Sequence, residues 1–133
     1  MWRSIVAVAS GYLTMVILVV LLFLVLGIVA PTAFPNNETV PSLGWVIFIQ
    51  FFNLLAAATG GYLTAVVARG SRIRHVQVLA VVVLLLGLVQ LWAGMDKLPI
   101  WYLILQLAVG LVGVFLGGSL TAHRAPRFEE TAP

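Results

Sequence analysis

The strongest constraint on this chain is the spacing of its charged residues, which leaves four long uncharged stretches. Asp, Glu, Lys and Arg are absent from residues 4–37, 39–68, 75–95 and 98–123. Each stretch has at least the roughly 20 apolar residues that cross the hydrocarbon core of a bilayer as a helix. Only 8% of the residues are charged, whereas a typical soluble domain carries about 25%. The sequence therefore predicts an all-α, polytopic membrane protein.

The four stretches favour helices over strands. In lipid, every backbone N–H and C=O needs a partner inside the protein, and the period-two alternation of a membrane β-barrel is missing here. We expect one transmembrane domain over residues 1–133, with four helices in an up-down bundle and a polar cytoplasmic tail at 123–133. The expected helix bounds are about 4–30, 43–68, 75–95 and 98–122.

The basic residues predict the orientation. If the four helices alternate in direction, Lys97 lies on one side of the membrane and every arginine lies on the other. An excess of lysine and arginine marks the cytoplasmic side. We therefore expect a multi-pass protein of the cell (inner) membrane with both chain ends in the cytoplasm. The arginines are Arg3, Arg69, Arg72, Arg74, Arg124 and Arg127.

Nearly the same short motif occurs three times, as 11-GYLT-14, 60-GGYLT-64 and 117-GGSLT-121. In the expected topology all three lie near the cytoplasmic side. Residues 53–65 also match 110–122 over a longer stretch, as a tandem duplication of a two-helix hairpin would produce, with parallel halves. Similar composition at glycine-rich helix ends is the alternative, and the sequence leaves both explanations open.

The glycines recur at helical spacing. On the fourth helix, Gly110, Gly113 and Gly117 are separated by three and four residues, which puts them on one face. Small residues let membrane helices approach closely, so such faces are the usual contacts between them. The predicted packing positions are Gly11, Gly60, Gly61, Gly87, Gly110, Gly113, Gly117 and Gly118.

Four amide side chains follow the same faces: Gln50, Asn53, Gln90 and Gln106. An unpaired amide in hydrocarbon costs several kcal/mol, so we expect these groups to face the bundle interior. Two interpretations remain open. The amides form interhelical hydrogen bonds, worth on the order of 0.6 kcal/mol each, or they line an uncharged polar path or small-molecule site.

Other chemistry is missing from the sequence. No ionisable Asp, Glu, Lys or Arg lies within a span, which argues against a carboxylate-driven antiporter and a voltage sensor. The chain has no cysteine, and His75 and His123 lack a nearby carboxylate, so no metal site is predicted. Without a nucleophile–base set or a phosphate-binding loop, we expect neither an enzyme nor a cofactor. The few basic residues are explained by topology, so no nucleic-acid partner is expected.

The stretch 60-GGYLTAVVARGSRIRHVQVLAVVVLLLGLV-89 resembles a loose group of small, uncharacterised bacterial four-helix integral membrane proteins. These have a Gly-Gly-aromatic patch that ends helix 2, an arginine-rich turn, a histidine and an apolar helix 3. The resemblance covers mainly helices 2 and 3, and it implies a class without a mechanism. Length and span count also resemble small multidrug exporters and dual-topology fluoride channels. However, the exporters' membrane-embedded glutamate is missing from helix 1, and the arginine bias argues against dual topology.

Two functional hypotheses follow. The first is a structural or accessory membrane protein that associates through its glycine faces, with itself or with a larger membrane complex, and with membrane lipids around it. The alternative is a small oligomeric channel or transporter for a neutral or weakly charged solute, using the four amides. Amides paired in a dry bundle would favour the first hypothesis, and amides lining a wet cavity would favour the second.

Overall fold

The computed structural model describes residues 2–31, 42–68 and 72–123, with the backbone alone for residues 122 and 123. Several predicted features lie outside the described residues. These are the arginines Arg69, Arg124 and Arg127, the side chain of His123 and the tail after residue 123.

The described chain is helical, and its helices are joined by short turns where the connections are described. Each of the four helices is long and apolar enough to cross a membrane. The prediction of an all-α protein with four helices of membrane-spanning length is therefore confirmed, and the protein belongs to the multi-pass membrane class. The helices are α1 (Trp2–Val29), α2 (Leu43–Val67), α3 (Arg72–Gly94) and α4 (Ile100–His123).

The helix ends differ from the expected bounds by up to three residues. The α3 helix begins at Arg72 rather than at 75, and the Arg72 guanidinium donates a hydrogen bond to the Thr121 carbonyl oxygen at 3.3 Å. A long side chain can leave its charge at the helix end while its stem packs on apolar surface, so the arginine does not interrupt the helix. Between α3 and α4, the N–H groups of Lys97 and Leu98 both donate to the Gly94 carbonyl oxygen, which delays the start of α4.

The α2 helix lies at the centre of the packing. It makes its largest interface with α4 and a second with α1, and α3 packs mainly on α4. The α1 and α3 helices touch each other least among the adjacent pairs, so the seam between them is the loosest side of the fold.

The core is thin and consists largely of small or medium side chains. The outward faces carry large apolar side chains instead, such as Leu24, Phe51, Leu85 and Leu120, each about half exposed. Such a surface suits hydrocarbon rather than water. The buried core residues that contact one another are Met15, Ala57, Ala65, Val76, Leu79, Ala80 and Val114.

Candidate functional site

The first close helix contact joins α1 and α2 through Gly11 and Gly60. A Cβ atom on Gly11 would lie 2.6 Å from the Gly60 carbonyl oxygen, and one on Gly60 would lie 2.7 Å from the Gly11 carbonyl oxygen. Thr64 is fully buried and packs against Gly11. The two backbones approach so closely that neither position has space for a side chain, because the carbonyl oxygen of the facing glycine occupies it.

The second close contact joins α2 and α4. A Cβ on Gly113 would lie 2.8 Å from the Leu54 carbonyl oxygen, and one on Gly117 would lie 2.8 Å from Ala58 Cα. From the other side, a Cβ on Gly61 would lie 3.0 Å from Val114 Cα. Backbone atoms cannot rotate away as a side chain can, so this interface depends on glycine.

The glycines on the α3–α4 side have more adaptable neighbours. A Cβ on Gly87 would meet the flexible side chain of Leu107, and one on Gly118 would lie 2.6 Å from a Val76 methyl carbon. Gly110 is different, because a Cβ there would meet only Val83 Cγ1, at an ordinary 3.8 Å. Gly110 is buried, but its surroundings would accept an alanine.

The matched glycines of the repeated motifs 60-GGYLT-64 and 117-GGSLT-121 have different neighbours. Gly60 packs on α1, whereas its counterpart Gly117 packs on α2. Gly61 packs on α4, whereas its counterpart Gly118 packs on α3. The similar sequences therefore occupy different environments.

Three of the four predicted amides lie around one cavity of about 250 Å³ between the helices. Asn53 comes from α2, Gln90 from α3 and Gln106 from α4, while α1 contributes Tyr12 and Met15. Asn53 and Gln106 are half-buried and Gln90 is exposed. No hydrogen bond joins any two of the amides within the part of the chain that the structure describes. Their polar atoms are therefore available to hydrogen-bond water or a solute in the cavity.

The cavity is only partly enclosed. Its deep wall includes the buried residues Met15, Leu103 and Gly110, whereas Val16 and Leu86 near its edge are exposed. Because Val16 belongs to α1 and Leu86 to α3, the cavity extends to the loose seam between these helices.

The fourth amide, Gln50, is separate from this cavity. Its side chain is only 8% exposed, and neither of its amide atoms has a hydrogen-bond partner. The hydroxyl of Thr64 is also buried without a partner. Burying an unpaired polar group typically costs about 1–3 kcal/mol, so these two positions lower the stability of the fold.

The remaining hydroxyl groups near the helix faces are mostly satisfied within their own helices. Ser10 donates to the Ala7 carbonyl oxygen at 2.9 Å, and Thr14 donates to that of Ser10 at 2.8 Å. Thr121 donates to the Gly118 carbonyl oxygen at 2.6 Å. None of these hydroxyl groups lines the cavity, whose polar side chains are the three amides and Tyr12.

Sequence reasoning missed three contributions. Tyr12 and Met15 line the cavity, although a tyrosine directly after a packing glycine was a usable signal. The Nε2 atom of His75 is 2.8 Å from the Ser4 hydroxyl oxygen, so a hydrogen bond joins α3 to α1. Among the described residues, no three histidine or carboxylate side chains gather where they could hold a metal ion.

Comparisons with protein-family models, with curated proteins and with solved structures find no match to this chain.

Proposed function

We propose that this protein binds a small, neutral or weakly charged polar solute inside the membrane and lets it cross, as a small channel or transporter. The observation that carries the proposal is the cavity lined by Asn53, Gln90 and Gln106, whose amides do not hydrogen-bond one another. An amide both donates and accepts hydrogen bonds without carrying charge. Such a lining matches hydroxyl, carbonyl or amide groups on a solute.

The size and charge of the cavity narrow the class of solute. Its volume of about 250 Å³ is below the roughly 300–1,000 Å³ of pockets for drug-sized molecules. No Asp, Glu, Lys or Arg lines it, so a permanently charged solute would lose its hydration without a counter-charge. A compact polyol or a urea-like molecule meets both conditions.

The proposal is tested by solute flux into liposomes that contain the purified protein. Stopped-flow light scattering would measure the swelling rate in gradients of glycerol and, separately, of urea. We expect faster swelling with the wild-type protein than in protein-free liposomes, and we expect Gln106→Leu to remove most of that increase. Gln77→Leu is the matched control, because Gln77 is exposed on α3 and does not line the cavity.

Two results would count against this function. One is an equal swelling rate with and without protein for both solutes. The other is an equal loss in the Gln106→Leu and Gln77→Leu variants, because that would trace the effect to general damage rather than to the cavity.

We also propose an up-down arrangement in the cell (inner) membrane, with both chain ends in the cytoplasm. The contact between Ser4 and His75 supports it, because it brings the arginine-bearing starts of α1 and α3 together. Lys97 lies in the turn after α3. Since the chain has no cysteine, a membrane-impermeant thiol reagent on intact cells should label Lys97→Cys and should label Arg3→Cys only after lysis. The reverse pattern would overturn the orientation.

We also propose that the sequence arose by tandem duplication of a two-helix hairpin. Its support is the match between residues 53–65 and 110–122. The matched glycines contact different helices, so the support comes from the sequence and not from the packing.

The second candidate function is an accessory membrane subunit, and the observation that favours it is the bare outer surface of α1. Only Ala7, Gly11, Met15 and Leu26 are buried along its 28 residues. Because the packing glycines face helices of their own chain, a partner or a second copy would contact α1 rather than a glycine face. Purification in a mild detergent followed by mass spectrometry tests this candidate. A stoichiometric partner supports it, and its absence contradicts it.

A further inference from the structure

A second groove runs along the seam between α1 and α3, on the side where both helices begin. It encloses about 520 Å³ and is separate from the amide cavity, although Tyr12 borders both. Its walls are apolar and include Val8 from α1, and Val78 and Val82 from α3. The groove also contacts Ile5 and Ala9.

One end of this groove is polar and cationic. Ser4, Arg74 and His75 border it, and the hydrogen bond between Ser4 and His75 joins the two helices there. Arg74 is exposed. The only carboxylate among the described residues is that of Asp96, beyond the opposite end of α3. Within the described chain, the charge of Arg74 is therefore not neutralised.

The groove extends through most of the hydrocarbon depth of one membrane leaflet. Arg74 and Val82 are eight residues apart on α3, which corresponds to about 12 Å along the helix axis. Half of the hydrocarbon core of a bilayer measures roughly 15 Å. An amphiphile with its headgroup at Arg74 would thus lay its chain along the apolar walls and end near Tyr12.

We propose that this groove is a binding site for one anionic membrane phospholipid. The phosphate lies at Arg74 and the adjacent Ser4–His75 pair, and one acyl chain lies along Val8, Val78 and Val82. The apolar groove between α1 and α2 provides a contrast, because its lining contains no charged residue and so offers nothing to a headgroup. This site is independent of the proposed solute cavity and would exist whether or not the protein transports anything.

The test uses full-length protein that has been stripped of lipid in detergent and then titrated with phosphatidylglycerol or phosphatidylcholine. The readout is the lipid concentration that gives half of the maximal rise in thermal unfolding temperature. We expect phosphatidylglycerol to act at the lower concentration. Arg74→Gln should raise that concentration about five-fold, the size expected for one arginine near an anionic surface. Arg3→Gln is the control, because Arg3 is exposed but does not border the groove.

A second pair of variants tests the acyl chain. Val78 and Val81 lie on the same helix and are 52% and 53% exposed, but only Val78 lines the groove. Val78→Trp should fill the groove and weaken phosphatidylglycerol binding several-fold, whereas Val81→Trp should leave it unchanged. If Val78→Trp fails to fold, Ile5→Trp fills the same groove from α1.

Three outcomes would overturn the proposal. The first is equal binding of the two lipids by the wild-type protein. The second is an equal effect of each test variant and its control. The third is competition by inorganic phosphate as strong as that of the lipid, because that would identify a site for a free anion rather than for an amphiphile.

Discussion

The same substitution should have opposite effects on stability at two glycines of one face of α4. Gly110 and Gly117 are both buried and lie seven residues apart, which is about two helical turns. The sequence pattern treats them alike, but their surroundings differ. We predict that Gly117→Ala destabilises the protein and that Gly110→Ala does not.

The magnitudes follow from the space around each Cα. At Gly117 a new Cβ would lie 2.8 Å from Ala58 Cα, where ordinary contacts are 3.4–4 Å, so α2 and α4 must move apart. Overpacking of this kind costs about 1–3 kcal/mol. At Gly110 the nearest atom would be 3.8 Å away, so the alanine should stabilise the fold by about 0.4–1 kcal/mol through a smaller entropy of the unfolded chain. The two variants should therefore differ by roughly 1.4–4 kcal/mol.

The assay is reversible unfolding in mixed micelles with rising sodium dodecyl sulfate, followed by far-UV circular dichroism. Wild-type protein and both variants are measured at one protein concentration and one total detergent concentration. If Gly117→Ala is as stable as the wild type, the account of close α2–α4 packing is wrong. If Gly110→Ala loses as much stability as Gly117→Ala, the difference in space between the two sites has no energetic meaning.

Three further predictions use the same unfolding assay. Gln50→Leu should leave stability unchanged or raise it by up to about 1–3 kcal/mol, because it removes a buried amide without a partner; a clear loss would mean that the amide is satisfied. Gly60→Leu should destabilise the protein strongly, whereas Gly27→Leu should have little effect, because a Cβ on Gly27 would meet nothing within 4 Å; equal effects would contradict the close contact between α1 and α2 at Gly60. Ser4→Ala should cost about 0.5–1.5 kcal/mol through its lost hydrogen bond to His75, and no loss would mean that this bond does not hold α1 to α3.

The helices could be predicted from the sequence because charge is excluded from hydrocarbon. The gaps between charged residues identify four spans, and the termination of α3 at Gly94 follows from ordinary helix-end preferences. The start of α3 could not be predicted as well. The sequence also does not show that the Arg72 guanidinium has an acceptor, because that acceptor is the Thr121 carbonyl oxygen, 49 residues away.

The candidate site could be predicted only in part. Helical spacing indicates that Asn53 and Gln106 share faces with the packing glycines, but it does not give the rotation of each helix against its neighbours. That rotation turns Gln50 away from the cavity that Asn53 lines, and it leaves room beside Gly110 but none beside Gly117. The distances between helices depend on how all four helices pack, so the residue pattern of one helix cannot predict them.

The proposed function requires that the cavity between the helices contains water and accepts a polar solute. Because the chain has no cysteine, single cysteines report on water directly, since a thiol reacts through its thiolate and forms one readily only where water reaches it. The decisive measurement compares Gln106→Cys, in the cavity, with Ile104→Cys, which is 52% exposed and does not line the cavity. Both variants would be treated in native membranes with a small, water-soluble methanethiosulfonate. We predict that Gln106→Cys reacts readily and Ile104→Cys does not, and a Gln106→Cys as unreactive as Ile104→Cys would mean that the bundle is dry and the solute site does not exist.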